Sequence, residues 1–189
     1  MKTFHGKQSI KTKYVNRVKR HRLADELVQG KTWEGEKGCA IGCTLEAYDH
    51  ARYPVELGIT ERLAHLEDHI FEALPNVEAM AWPEQFLSAI PVGVDSAKLD
   101  TVCDRFQKWW LERQKAQIDC LTFPEISAAI DRVNGLLDQA IKGDEPQSAA
   151  WSAARSAAWS AAWSAARSAA ESAAESAAWS AARSAAESA

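Results

Sequence analysis

Two cysteines four residues apart are the first candidates for chemistry in this chain. Cys39 and Cys43 have a spacing that zinc sites use, and His50 could supply a third ligand. A matching second pair is missing, because Cys103 and Cys120 lie far apart in the sequence. A redox or nucleophilic thiol is a second interpretation. The favoured one is packing of small residues, so we predict no metal and keep Cys39 and Cys43 as weak candidates.

A basic segment with aromatic neighbours is the candidate for ligand binding. Residues 1–22 contain eight Lys and Arg residues and no acid, although the whole chain has a net charge of −4. Lys13, Arg17 and Arg20 fall on one side of a predicted helix, and Trp33 follows it. Cations neutralise phosphates and an indole stacks on a base, which predicts a site for a nucleotide-like anion. The alternative is that these cations pair with the protein's own acidic surface.

A polar cluster at residues 49–53 supplies two further candidates. It reads Asp-His-Ala-Arg-Tyr, and His50 and Arg52 could contact a ligand or simply form a turn. His65 and His69 have the i, i+4 spacing of a metal clasp. They lie opposite the apolar stripe of their predicted helix and outside an HExxH motif, so we expect them to face water.

The remaining motif and composition checks exclude several classes of protein. The chain lacks GxGxxG, GxxxxGK[ST] and GxSxG, so the usual nucleotide-hydrolysing and α/β-hydrolase signatures are missing and no cofactor is predicted. No apolar run is long enough to span a bilayer, and the N-terminus has no apolar core of a secretory signal. We therefore expect a cytoplasmic protein with reduced thiols and no membrane partner.

The elements that position these residues are predicted to be mainly α-helical. Apolar periodicity and helix-ending residues predict a compact domain over 1–143. Residues 30–60 are predicted to form a Gly-rich compact loop with a short hairpin or the start of a helix at Cys43. The predicted helices cover residues 13–29, 60–74, 83–89, a segment beginning at 95 or 96, and a segment that starts at a capping box over residues 122–125 and is ended by Gly143. Gly38 and Gly42 flank a short apolar run, where small residues would let backbones approach closely.

The last 42 residues, 148–189, repeat the words SAAW, SAAR and SAAE. Alanine-rich sequence favours helix, so the fold class is a compact helical domain followed by a tetrapeptide-repeat helix. A four-residue word advances by about 400° around a helix, so each stripe drifts by about 40° per word. The tail is then a supercoil, two shorter helices, or a rod surrounded by neighbours.

Four tryptophans in the tail favour a buried interface over a simple spacer. Indoles are costly to leave in water, so we predict burial in a core or between subunits, and hence a homo-oligomer. Arg and Glu balance in the tail, which makes nucleic acid an unexpected partner. The alternative is that the repeat expanded as a spacer without a partner.

The block WEGEKGCAIGCTLEAYDHARYPVELGI, with LAHLEDHIFEALPN and AIPVGVD, resembles a group of uncharacterised bacterial and bacteriophage proteins. It covers roughly residues 25–95, and members of that group often end in tails with SAAW, SAAR and SAAE words. The resemblance implies a phage or bacterial cytoplasmic origin. It carries over no activity and no site residue.

These observations lead to a ranked set of functions. The first is a non-catalytic oligomeric binding protein that sequesters a nucleotide-like anionic signal or a host factor, as a phage protein evading immunity would. The second is a structural scaffold assembled by the repeat tail. The third is a zinc- or thiol-dependent enzyme, which we rank last.

Overall fold

The computed structural model describes residues 1–118 and 122–187, and over these the chain is mainly α-helical, as predicted. Cys120 and residues 188 and 189 of the predicted tail lie outside the described part. The described helices are α1 Gln8–Leu23, α2 Ala40–Leu45, α3 Arg52–Leu57, α4 Glu61–Ala73, α5 Asn76–Ala89, α6 Ala97–Gln117, α7 Pro124–Lys142 and α8 Ser148–Glu187. A two-stranded antiparallel hairpin, β1 Trp33–Glu34 and β2 Lys37–Gly38, precedes α2.

The chain forms two compact units, Met1–Cys103 and Asp104–Ala189. The sequence places a boundary later, between 143 and 148, because the repeat begins there. In the structure α7 and α8 pack on each other within the second unit. Alanines of the repeat are buried together with apolar residues of α7, so the repeat helix shares its core with the helix before it.

The core of the first unit is built by α1, α2, α4 and α5. Its largest fully buried apolar side chains include Phe4, Ile41, Tyr53, Phe71 and Leu87. The chain start is tied to the segment after α5, because the Thr3 amide donates to the Val94 carbonyl over 2.9 Å. This backbone pairing anchors the basic segment against the rest of the unit.

Helix α1 differs from the prediction at both ends. It begins at Gln8 and ends at Leu23, whereas the sequence predicts residues 13–29. The helix stops early because Asp25 has a left-handed backbone (φ 54°) and the next residues run along the hairpin. There the Val28 amide donates to the Gly38 carbonyl over 2.9 Å. Leu23, the last residue of the helix, is 72% exposed.

The close approach predicted at Gly38 and Gly42 is confirmed. A Cβ atom on either glycine would lie about 2 Å from the carbonyl oxygen of Thr32, at 2.2 and 2.1 Å respectively. Neither residue needs a left-handed backbone, so the requirement is for space. Because these positions carry no side chain, α2 and β2 can lie directly against the backbone of Thr32, just before β1.

Other helix boundaries agree with the sequence to different degrees. α4 begins after Thr60, as predicted, although the Thr60 hydroxyl donates to Asp100 over 2.6 Å rather than capping the helix. α7 starts at Pro124 and ends before Gly143, which is left-handed at φ 92°. α5 begins at Asn76 and contains Pro83, so the predicted start at Pro83 is wrong. The helix begins directly after Pro75, which is its N-cap residue.

Helix α8 is continuous over 40 residues, so the alternative of two shorter helices is wrong, and the supercoil and the surrounded rod both stay predictions. Ala154, Ala161 and Ala165 are buried. Trp159 and Trp163 are 76% and 69% exposed, so the prediction of a core position is wrong for both. The drift of the repeat explains this result, because the alanine stripe and these indoles lie on nearly opposite sides of the helix.

Candidate functional site

A cavity of about 480 Å³ in the first unit joins two of the predicted ligand residues, Arg20 and Trp33. It lies where the last turn of α1, the hairpin and the end of α2 meet. Its lining consists of Arg20, His21, Glu26, Trp33, Glu36 and Glu46. Lys13, Arg17, His50 and Arg52 do not line it.

Local backbone geometry explains why these side chains converge. The hairpin turns at Gly35 and Glu36, both left-handed at φ 56° and 66°, so that Glu36 and Trp33 lie close together. Glu46 ends α2 in the left-handed conformation at φ 54°, which redirects the chain beside α1. The lining residues therefore come from the last turn of α1, the segment that follows it, the hairpin and the end of α2.

The charges in this cavity are mostly paired with each other. His21 is 3% exposed, and its Nδ1 lies 2.6 Å from Glu26 Oε2. The Trp33 ring meets the His21 ring edge-on, with centroids 5.5 Å apart. Arg20 forms an ion pair with Glu46 over 2.6 Å. Because the lining contains three carboxylates and one arginine, an anion gains little unless it displaces Glu46.

Arg17 lies beside the cavity and is tied to the same acid. It donates to the Thr44 carbonyl over 3.0 Å and lies 3.4 Å from Glu46. The predicted basic face of α1 is therefore neutralised in part by the protein's own acids, which is the alternative left open by the sequence. Arg22 follows the same pattern, with Glu84 at 2.7 Å.

Lys13 and Arg52 belong to a separate network around Tyr14. Lys13 Nζ lies 4.8 Å from the centre of the Tyr14 ring. Tyr14 donates its hydroxyl proton to Glu56, and Arg52 Nε donates to the same acid over 2.6 Å. Burial opposes ionisation of Glu56, but these two hydrogen bonds lower its pKa overall.

His50 lies at another cluster, on the segment between α2 and α3. Its Nε2 lies 3.2 Å from Asp68 Oδ2, and its ring stacks on His65 with centroids 4.0 Å apart. Burial and the neighbouring His65 lower the pKa of His50, although Asp68 opposes the shift. His65 and His69 are exposed, as predicted.

The two candidate cysteines are both buried but do not act together. The Cys43 thiol donates to the carbonyl of Gly38 over 3.4 Å. Cys39 instead lies near Asp68 and Glu72 of α4, and one ligand atom from each of these three residues lies within 4.8 Å of the others. Burial raises the pKa of both thiols to about 12, so neither is a thiolate at neutral pH.

Sequence patterns do not predict several residues of these clusters. His21 is buried at the cavity floor, and Glu26, Glu46 and Asp68 pair with residues distant in the chain. Such pairings depend on tertiary contacts that no local spacing encodes. A weak signal existed for His21, because it falls next to Val18 on the apolar side of α1.

Known proteins do not identify the chain. No family model, curated protein or solved structure matches it. None of the helices in the described ranges combines the length and apolarity that crossing a bilayer requires.

Proposed function

We propose that the protein is a non-catalytic interaction protein whose copies associate through the outer face of α8. The observation that carries this proposal is the exposure of Trp159 and Trp163, one helical turn apart, at 76% and 69%. An exposed pair of indoles is an unusual surface for a chain that acts alone. Burying each would remove on the order of 150–250 Å² from water.

The outer face is open because α7 covers a different side and a shorter length. At 1.5 Å per residue, α8 extends about 60 Å and α7 about 28 Å. The buried alanines at 154, 161 and 165 define one side of α8. A rotation of 100° per residue places Trp159 and Trp163 roughly 140–180° from that side.

The charged residues of α8 are complementary to those of a second copy of the same helix. We consider two antiparallel α8 helices related by a two-fold axis at Trp163. That axis brings Arg155 of one copy level with Glu171 of the other, and Trp159 level with Arg167. Because the drift turns Arg155 and Glu171 about 80° to either side of Trp163, the two helices must cross in the right-handed sense for this pair to meet. Every such pair occurs twice, and none joins like charges. Arg over an indole adds a cation–π attraction.

The size of the face approaches that of a small dimer interface. Two indoles from each copy would together bury on the order of 600–1,000 Å². The Ala and Ser residues between them permit close helix approach and add to that area. The total approaches the roughly 1,200 Å² at the low end of stable protein interfaces.

The mass of the full-length protein in solution tests this proposal. Light scattering should give about twice the chain mass of 20.8 kDa at micromolar concentration. Dilution should return the chain mass, because the assembly is an equilibrium. A monomeric mass at every concentration up to the solubility limit contradicts self-association.

A second candidate function, binding of a nucleotide-like ligand, is supported by the cavity that joins Arg20 and Trp33. Trp33 offers a stacking surface for a base, and the carboxylates of Glu26 and Glu36 can accept hydrogen bonds from base N–H groups. The acidic lining favours a ligand with few negative charges. Sequestering such a signal is the role we propose for this site.

Thermal shift with a panel of nucleosides, mononucleotides and cyclic dinucleotides tests the ligand proposal. At least one should raise the melting temperature, and Arg20→Ala or Trp33→Leu should abolish the shift. Lys19→Ala is the control, because Lys19 is exposed on α1 and does not line the cavity. The absence of any shift in the wild type rules the ligand out.

A further inference from the structure

A thiol and two carboxylates converge where α4 passes the start of α2. Asp68 and Glu72 lie one turn apart on α4, and Cys39 precedes α2. The Cys39 sulfur and one oxygen of each acid lie within 4.8 Å of one another. Cys39 is 2% exposed and the Asp68 side chain 14%, whereas Glu72 is on the surface. The three groups form a cluster that is buried at the thiol and exposed at Glu72.

We propose that Cys39, Asp68 and Glu72 bind one divalent transition-metal ion of the zinc class, with a water molecule as the fourth ligand. A thiolate with carboxylates suits zinc, which takes sulfur at about 2.3 Å and oxygen at about 2.0–2.2 Å. Tetrahedral coordination at those lengths brings the ligand atoms about 3.3–3.7 Å apart. The exposed Glu72 side chain can make the remaining movement.

The hydrogen bonds of Asp68 point to the same site. His50 and Tyr48 both contact Oδ2 of this carboxylate, at 3.2 and 3.4 Å. Its Oδ1 is buried and has no hydrogen-bond partner among the described residues. A buried oxygen without a hydrogen-bond partner lowers the stability of the folded protein, and coordination to a metal ion would supply the missing interaction.

His50 and the hairpin base supply the outer support that metal ligands commonly have. His50 fixes Asp68 from the side away from its buried oxygen, which is how hydrogen bonds to ligating carboxylates act. The Gly30 amide donates to Glu72 Oε2 over 2.7 Å and holds that side chain near the cluster. Both supporting contacts come from outside α4, so the fold itself orients the two carboxylates.

Proton balance follows from the buried thiol. The Cys39 S–H bond breaks as the sulfur–metal bond forms, and one proton leaves to solvent for each ion bound. Asp68 and Glu72 contribute lone pairs without a change in protonation. The step requires neither an oxidant nor a reductant.

The other metal candidates of the sequence are placed elsewhere. Cys43 directs its thiol to the Gly38 carbonyl, and it is absent from the cluster formed by Cys39. Its position makes it a matched control, since it is a second buried cysteine of the same segment. His65 and His69 form an exposed pair that could bind an ion independently.

Cobalt titration of the full-length, chelator-treated protein tests the site. Co²⁺ bound to a thiolate gives a sulfur-to-metal charge-transfer band, and tetrahedral Co²⁺ gives intense visible bands. We expect one equivalent to produce both, and Zn²⁺ to abolish them by displacement. Glu72→Gln, a surface change, should weaken Co²⁺ binding at least tenfold, and Cys39→Ser should remove the charge-transfer band.

The control variants make each outcome decisive. Cys43→Ser should keep the band, and the double variant His65→Ala/His69→Ala should keep both stoichiometry and band. The proposal is overturned if the wild type shows no saturable charge-transfer band, or if the histidine variant loses it. It is also overturned if Cys39→Ser retains it. Should Cys39→Ser fail to fold by circular dichroism, Glu72→Gln decides, and unchanged affinity there contradicts the site.

Discussion

Glu67 is a fully buried carboxyl group in the core of the first unit. Its side chain is 0% exposed, and the Tyr53 hydroxyl donates to its Oε2 over 2.6 Å. Burial raises its pKa from 4.5 to about 8, against the opposing effect of the Tyr53 hydrogen bond. The group is therefore protonated in the folded protein at neutral pH.

Stability should consequently fall as the pH rises. The folded pKa of Glu67 exceeds the unfolded value, so its contribution is complete below about 4.5 and is lost as the pH rises through about 8. In that window the free energy of unfolding should drop by about 1.4 kcal/mol per pH unit from this group. Urea unfolding of the wild type and Glu67→Gln at pH 5 and pH 8 measures the effect.

Glu67→Gln should remove most of this pH dependence and be more stable than the wild type at pH 8, because the amide carries no charge to bury. Glu61→Gln is the control, since Glu61 is exposed on the same helix and should keep the wild-type pH profile. Equal pH slopes for Glu67→Gln and the wild type contradict the buried proton.

The sequence predicts residues whose type alone suits a ligand, but it does not predict ion pairs between residues far apart in the chain. Arg20 and Trp33 were predicted because their types suit a ligand, and the structure places both at one cavity. The acids that neutralise the basic face were foreseen only as a general alternative. Glu46 meets Arg20 from a different helix, and no sequence spacing encodes that contact.

At the scale of elements, α2 and the hairpin are joined by close backbone contact. A methyl group on Gly42 would lie only 2.1 Å from the Thr32 carbonyl oxygen, which is a backbone atom and cannot swing aside. Gly42→Ala should therefore push α2 from the hairpin and destabilise the protein by about 3 kcal/mol. Denaturant unfolding of this variant gives the number.

Gly135→Ala provides the opposite expectation in the same measurement. Gly135 lies in the interior of α7 with no atom within 4 Å of its added Cβ. Alanine there should stabilise by about 0.5–1 kcal/mol through lower chain entropy in the unfolded state. A neutral Gly42→Ala would contradict the close contact between α2 and the segment before the hairpin, and a destabilising Gly135→Ala would contradict the open position on α7.

Long periodic elements followed the sequence, and short ones depended on tertiary contacts. α4, α7 and α8 have strong apolar or alanine patterns, and all three form where predicted. α1 departs from prediction because Glu26 and Val28 pair with Gly38 rather than extending the helix. The local sequence of α1 does not encode these contacts with Gly38, so it could not predict that the helix ends early.

At the scale of the whole molecule, the repeat makes the antiparallel register testable by charge reversal. Arg155→Glu should weaken self-association about tenfold, because it faces Glu171 of the second copy twice. Adding Glu171→Arg should restore most of the affinity. Sedimentation equilibrium of the single and double variants measures it, and an equally weak double variant argues against this register.

The repeat itself predicted the rod but not which side of it would be covered. The drift of about 40° per word showed that four tryptophans cannot share one face. Only the packing of α7 on Ala154, Ala161 and Ala165 shows which indoles remain exposed. Homo-oligomerisation therefore stays a prediction, now assigned to a defined face.

The most direct test of self-association through α8 compares two tryptophans of the same helix. Trp163 lies at the proposed two-fold axis, and Trp179 is as exposed, at 79%, but points to another side of the rod. Light scattering at equal concentration should give a dimer for the wild type and Trp179→Glu, and a monomer for Trp163→Glu. A dimer that survives Trp163→Glu contradicts the account.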